Sequence, residues 1–160
     1  MSVYNHFLLQ NTPQGNTINP GVLFEAGPII NIEISIPKAL ADVYSQTGQT
    51  IPQPKIGIAL IDTGAKKSCV HDSIMQDLGV STIGQVMSGT ANGQRPCKLF
   101  PAFFNFPGTG ISVDFTSVVE VNLSGQIING EQIIALVGRD LLANTIFVYN
   151  GRVGLYTLAI

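Results

Sequence analysis

One acidic side chain stands where a buried strand is predicted to end in a tight turn. Asp62 follows the apolar run over residues 58–61 and is followed at once by Thr63 and Gly64. An ionised carboxylate held away from water is costly unless it is paired or takes up a proton. Gly64 allows the backbone to turn sharply and to bring amide groups close to the carboxylate, and Thr63 adds a hydroxyl that could lock a neighbouring loop. The pattern indicates an acid kept for chemistry; the alternative is an Asp that only caps a β-turn.

The elements predicted around this turn are mainly short strands. Residues 29–36 alternate between apolar and polar from Ile30 onward, which is typical of a strand with one buried face. Residues 56–61 are apolar enough for a central strand. A short helix is expected over 74–78, and the remaining strands are predicted at 68–71, 97–106, 111–121, 126–135, 147–149 and 152–160. Many short strands separated by turns indicate an all-β barrel or sandwich.

Two further motifs follow the Asp62 turn. Asn92-Gly93, between strand-forming residues, is the strongest hairpin signal in the chain. Later, the apolar residues 135–137 run through Gly138 and Arg139 into one or two predicted helical turns.

Taken in order, Asp62-Thr63-Gly64-Ala65, the hairpin and the segment 136–142 resemble the retropepsin family, the single-domain aspartic proteases of retroviruses and of cellular and bacterial relatives. The resemblance implies an all-β, closed barrel-like acid-protease fold with one or two short helices and one lobe per chain. It covers residues 29–160 as a single domain. Residues 1–28 remain as a polar N-terminal arm or loop and a candidate prosegment.

The same resemblance implies a site for peptide-bond hydrolysis. The catalytic residues would be Asp62, Thr63 and Gly64, and the hairpin would be a flap over a polypeptide substrate. The implied substrate-binding residues are Ala65, Lys66, Met87, Ser88, Gly89, Thr90, Ala91, Asn92, Gly93 and Val137.

A homodimer follows from the number of acids. This hydrolysis takes two carboxylates about 3 Å apart that share one proton. The chain has a single Asp-Thr-Gly, so the second Asp62 is expected from a second copy across a twofold axis. By resemblance, the apolar tail over residues 155–160 would contribute strands to the dimer interface, and Thr63 would brace the partner's loop.

One position departs from the viral members of the family. There, an acid two residues beyond the active-site Gly pairs with the Arg that corresponds to Arg139, but residue 66 of this chain is Lys. Arg139 therefore needs another partner, for which Asp72 and Asp140 are the candidates. Asp140 lacks the Thr-Gly turn and is expected to cap the short helix. Ala65 offers no hydroxyl to an ionised carboxylate, which favours a weakly acidic pH optimum.

The amino-acid composition of the chain argues for a protein partner and against nucleic-acid and metal binding. Charged residues make up 11% of the 160-residue chain, against about 25% in ordinary domains, which fits a surface partly buried against a partner. The eight basic residues are scattered and the net charge is −2, so no nucleic-acid partner is expected. No metal or cofactor is predicted, because Cys69, Cys97 and the two histidines are too few for a soft-ligand site.

The cysteines are interpreted as free thiols, and a single disulfide is the alternative. With no basic secretory start and no membrane-length apolar run, a cytoplasmic location is expected.

Two other classes of function stay open: a non-catalytic dimeric β-module that binds peptides, and a β-sandwich that serves as a structural subunit.

Overall fold

Strands dominate the computed structural model, which describes residues 2–90 and 93–160. In these residues the strands are β1 (Val3–Phe7), β2 (Leu9–Thr12), β3 (Gly15–Ile18), β4 (Ile29–Ser35), β5 (Lys55–Ile61), β6 (Cys69–His71), β7 (Gly84–Thr90), β8 (Gly93–Phe106), β9 (Ile111–Val121), β10 (Ile127–Ile128), β11 (Glu131–Val137), β12 (Ile146–Asn150) and β13 (Leu155–Ala159). The helices are α1 (Pro20–Ala26), α2 (Lys38–Thr47), α3 (Ile74–Asp77) and α4 (Arg139–Leu142).

Six strands close into a barrel. They are hydrogen-bonded in the order β11–β5–β4–β8–β9–β6, and β6 pairs back onto β11. β10 and β7 extend this sheet beside β11 and β8. The prediction of an all-β closed barrel is confirmed, and the sheet does not form the two separate layers of a sandwich.

The interior of the barrel follows from the period-two pattern of its strands. On β4, Ile30, Ile32 and Ile34 are at most 2% exposed, whereas the residues between them are partly or fully exposed. Successive side chains of a strand point to opposite faces, so this alternation places one face in the core.

The structure has more helix than the sequence predicts. α3 and α4 match the two short helices expected, but α1 and α2 were not predicted. Residues 38–55 contain Gly48, Pro52 and Pro54 among polar residues, a pattern that favours a surface excursion. In the structure they begin with α2 at 38–47, which packs Leu40, Ala41 and Tyr44 against the core. Within the described residues, no helix is long and apolar enough to cross a membrane.

The N-terminal residues are also more ordered than predicted. β1 pairs antiparallel with β13, which pairs on its other side with β12, so these three strands form a second sheet. α1 begins at a cap in which Gly21 N donates to Asn19 Oδ1 over 2.9 Å, and its Leu23 is fully buried. Residues 1–28 therefore contribute β1, β2, β3 and α1 to the fold, and their role as a prosegment stays a prediction.

Candidate active site

The Asp62 loop connects two strands that are not adjacent in the barrel. It covers residues 62–68, between the end of β5 and the start of β6, and β11 lies between these two strands. β11 runs parallel to β5 and antiparallel to β6. Asp62 N donates to Val137 O over 2.9 Å, so the end of β11 holds the first residue of the loop.

Two backbone amides hold the Asp62 carboxylate. Gly64 N and Ala65 N donate to its Oδ1 over 2.8 and 3.2 Å. Oδ2 has no hydrogen-bond partner in the described part of the chain. The carboxylate is only partly buried, so it is both oriented by the turn and within reach of solvent or a substrate.

A backbone contact joins the middle of the loop to the turn between β11 and α4. Arg139 N donates to Ala65 O over 3.0 Å. Directly beside this bond, a Cβ atom on Gly138 would lie 2.5 Å from the carbonyl carbon of Lys67. The two backbones therefore approach closely, and only a residue without a side chain fits at position 138.

The last residue of the loop is held by the carboxylate of Asp140. Ser68 is fully buried. Its N donates to both Asp140 oxygens over 2.9 Å, and its Oγ donates to Asp140 Oδ1 over 2.7 Å. Gly138 N in turn donates to Ser68 Oγ over 3.1 Å. Sequence analysis did not single out Ser68, because nothing local marks a contact between residues so far apart along the chain.

Two predictions about this region need correction. Asp140 is not the N-cap residue of α4, which is Gly138 without a side-chain hydrogen bond; its carboxylate lies in the first turn, where it accepts from Leu141 N and binds Ser68. Arg139 is exposed, and no ion pair of its side chain occurs in the described residues, so neither Asp72 nor Asp140 is its partner.

The other predicted site residues fall into two groups. Thr63, Gly64 and Lys66 are exposed and Ala65 is half-buried, so all four lie at the surface of the loop. Val137 is 1% exposed and packs in the main core. Its side chain faces the core while its carbonyl accepts from Asp62 N, and its contact with substrate stays a prediction.

The predicted hairpin is present. β7 and β8 pair antiparallel from Gly84 with Leu99 to Thr90 with Gly93. Met87 and Gly89 are exposed, Ser88 is half-buried and Gly93 has a positive φ of 106°. Ala91 and Asn92, which belong to the predicted flap tip, lie outside the described residues.

Cys69, immediately after the loop, does not act as a nucleophile. Burial, followed by the nearby Asp140 and Asp62 carboxylates and Cys97, raises the pKa of its thiol to about 12. The reactive form of cysteine is the thiolate, so this thiol is inert at ordinary pH. Cys69 and Cys97 are both free and buried, as the sequence indicated.

A cavity of about 490 Å³ opens between α1 and the β10–β11 turn. Its walls do not include Asp62; they are Asn19, Gly21, Val22, Glu25, Ala26, Ile127, Ile128 and Asn129. Asp62 thus lies outside this cavity.

Similarity to known proteins is found among solved structures. No protein-family model matches the chain, and no curated protein matches it. Among solved structures, a retropepsin-like aspartic protease from Rickettsia conorii is similar, with a TM-score of 0.44 and 13% sequence identity. The match covers 98% of this chain and 90% of that chain.

Proposed function

We propose that this chain is an aspartic endopeptidase that hydrolyses peptide bonds with Asp62. One observation carries the proposal: at the end of a barrel strand, the carboxylate is held on one oxygen by the amides of Gly64 and Ala65. Its other oxygen is left for a water molecule. A turn that orients one oxygen and leaves the second to solvent is suited to general acid–base chemistry.

The reaction uses two Asp62 carboxyl groups that share one proton. The ionised group takes a proton from water, and the water oxygen forms a bond to the carbonyl carbon of the peptide. The protonated group donates a hydrogen bond and then its proton to the carbonyl oxygen. When the tetrahedral intermediate breaks down, the C–N bond is cleaved and the carboxyl group that took the proton from water gives it to the leaving nitrogen. The other carboxylate takes back a proton from the hydroxyl that becomes the product carbonyl, so the pair ends with the single proton it had at the start.

A homodimer supplies the second acid. Each chain contains one Asp-Thr-Gly, and the nearby Asp140 has both oxygens bound to Ser68. Asp62 is also partly exposed in the single chain. A second copy related by a twofold axis would complete both the acid pair and the cleft, and the exposed Thr63 is placed for contact with the partner's loop.

The interface is expected at an edge of the three-stranded sheet. The tail over residues 155–160 was predicted to add strands there, but β13 is the middle strand and pairs on both sides. Its backbone groups are therefore already used. β12 is an edge strand, exposes the apolar Ile146 and Val148, and follows α4 after a short turn. Exposed apolar edge strands are templates for pairing with another chain.

In this proposal the β7–β8 hairpin serves as a flap. Residues 93–98 of β8 pair with β7, while pairing of β8 with β9 begins at Leu99. The tip half of the hairpin is therefore a two-stranded ribbon, which is marginally stable alone and suited to opening and closing.

Cleavage of denatured casein between about pH 4 and 7 tests the proposal, with Ala65 favouring the weakly acidic part of that range. Wild type should cut, and both Asp62→Asn and a pepstatin-type transition-state analogue should abolish cutting. Asp42→Asn, at an exposed position on α2, is the matched control and should cut like wild type. A dimeric wild type that cuts at no pH in this range would contradict the proposal and favour a peptide-binding module.

A further inference from the structure

We propose that Ser68 and Asp140 form a positioning pair that sets the place of the Asp62 carboxylate. The inference rests on the proposed function, because positioning matters for catalysis only if Asp62 is catalytic. Neither residue touches a substrate in this account. They act through the loop over residues 62–68, whose far end they hold.

The pair is more than a surface contact. Ser68 is fully buried and gives both its amide and its hydroxyl to one carboxylate, at 2.7 to 2.9 Å. Leu141 N also donates to Asp140 Oδ1 over 3.0 Å, and Ser68 Oγ accepts from Gly138 N. Hydrogen bonds to an ionised acceptor are about twice as strong as neutral ones, so this is the strongest polar connection between the loop and the β11–α4 turn.

The pair completes a three-point attachment of the loop to one rigid segment. Asp62 N binds Val137 O at the first residue, Ala65 O binds Arg139 N in the middle, and Ser68 binds Asp140 at the last residue. The first two points are single backbone bonds. Without the third, the loop behind Ala65 would still be bonded to β9, where Lys67 Nζ donates to Ser117 Oγ over 2.7 Å and Val119 N donates to Ser68 O over 3.1 Å. Its connection to the β11–α4 turn would be reduced there to the bond from Gly138 N to Ser68 Oγ. Misplacement of a reacting group by about 1 Å costs about 100-fold in rate.

The kinetic test compares Asp140→Ala with Asp140→Asn. Asp140→Ala removes both acceptor oxygens, whereas Asp140→Asn keeps one. We therefore expect kcat per active site to fall about 10- to 100-fold in Asp140→Ala. For Asn it should fall by less than about tenfold, with KM little changed in both. Active sites are counted by titration with the transition-state analogue. Ser68→Ala keeps the amide bonds to Asp140 and loses only the hydroxyl bond to it, so alone it should lower kcat less than Asp140→Ala does.

Glu33→Ala is the matched control. Glu33 is also a partly buried carboxylate, and it accepts from Asn105 Nδ2 over 2.8 Å, but it lies on β4 and does not touch the Asp62 loop. A merely structural role for Asp140 would lower thermal stability in both variants and leave kcat per active site unchanged in both. That result would overturn the proposal.

A second measurement is independent of activity. Amide hydrogen exchange at Gly64 and Ala65, followed by NMR, should speed up at least about tenfold in Asp140→Ala relative to Glu33→Ala. Equal exchange in the two variants would overturn the positioning pair, even if wild type cuts casein. Faster exchange in Asp140→Ala, together with a wild type that cuts nothing, would support the positioning pair and contradict the protease.

Discussion

At the scale of single residues, the candidate site depends on Gly138 because there is no space for a side chain at this position. Its φ of −90° suits any residue, so conformational freedom does not require glycine here. The requirement is space, since a Cβ would lie 2.5 Å from the carbonyl carbon and 2.7 Å from the carbonyl oxygen of Lys67. These are backbone atoms that cannot move without shifting the Asp62 loop.

We therefore expect Gly138→Ala to destabilise the fold by about 2–4 kcal/mol and to abolish cleavage. Chemical denaturation measures the first effect and the casein assay the second. Gly89→Ala is the stability control, because a Cβ there would meet nothing within 4 Å. Equal stability of the two variants would show that the close approach at Gly138 is not a constraint.

His6 predicts a dependence of stability on pH. Its ring stacks on Tyr4 with centroids 5.6 Å apart and lies 5.4 Å from the Tyr156 ring, and its Nδ1 is bonded to Tyr4 Oη at 2.8 Å. Burial lowers the pKa of His6 below its usual 6.5. Burial also raises the pKa of Tyr4 and of Tyr156, so both phenols stay neutral. The unfolded chain then binds a proton more readily than the folded one, and stability falls as pH drops below about 6.5.

In His6→Phe the ring is kept and the titrating group is lost, so the melting temperature should fall less between about pH 7 and 5 than in wild type. The difference should be at most about 4 °C, because His6 is only half-buried. Tyr4→Phe removes the same hydrogen bond but keeps the histidine, and should follow the wild-type slope. Identical slopes for wild type and His6→Phe would contradict the assignment.

At the scale of elements, sequence patterns predicted the strands better than the helices. Period-two alternation placed β4 correctly, and β9 was predicted with its observed bounds, because half-buried strands carry that pattern in every residue. α1 was missed although Asn19 and Pro20 form a typical helix start. The turn-forming residues around this cap favour a loop in the same place, and they obscure the start of the helix.

The site was predictable where it is local in sequence. The Asp62 turn and the hairpin follow from short motifs, and both are present. The hydrogen bonds of Ser68 to Asp140 join residues 72 positions apart, and a single sequence carries no signal for such a pair. For the same reason, the sequence does not show where the Val137 side chain lies, because an apolar side chain suits the wall of a substrate site and the core equally well.

The edge strand β12 carries a prediction about assembly. Ile146 and Val148 are 58% and 49% exposed, so Ile146→Lys with Val148→Lys should leave the fold intact while charge at the edge opposes strand pairing. We expect weaker dimerisation by at least about tenfold in analytical ultracentrifugation, with a parallel loss of cleavage. Val43→Lys, at an equally exposed apolar position on α2, should change neither. An unchanged dimer in the double variant would move the interface elsewhere.

At the scale of the whole molecule, the proposed function gives each chain half of an acid pair. The barrel, strand β11 and the Ser68–Asp140 contact surround one partly exposed carboxylate. Low charge over the whole chain fits burial of part of that surface in a dimer. The proposed hydrolysis therefore depends on two copies of Asp62 acting together.

Mixing subunits tests this dependence most directly. Wild type and Asp62→Asn are unfolded together in equal amounts, refolded, and assayed for casein cleavage against the same total amount of refolded wild type. If both acids are needed, only pairs of two wild-type chains cut, and random pairing predicts about a quarter of the activity. Activity of about one half would mean that each wild-type chain works alone, which would contradict the homodimeric aspartic protease.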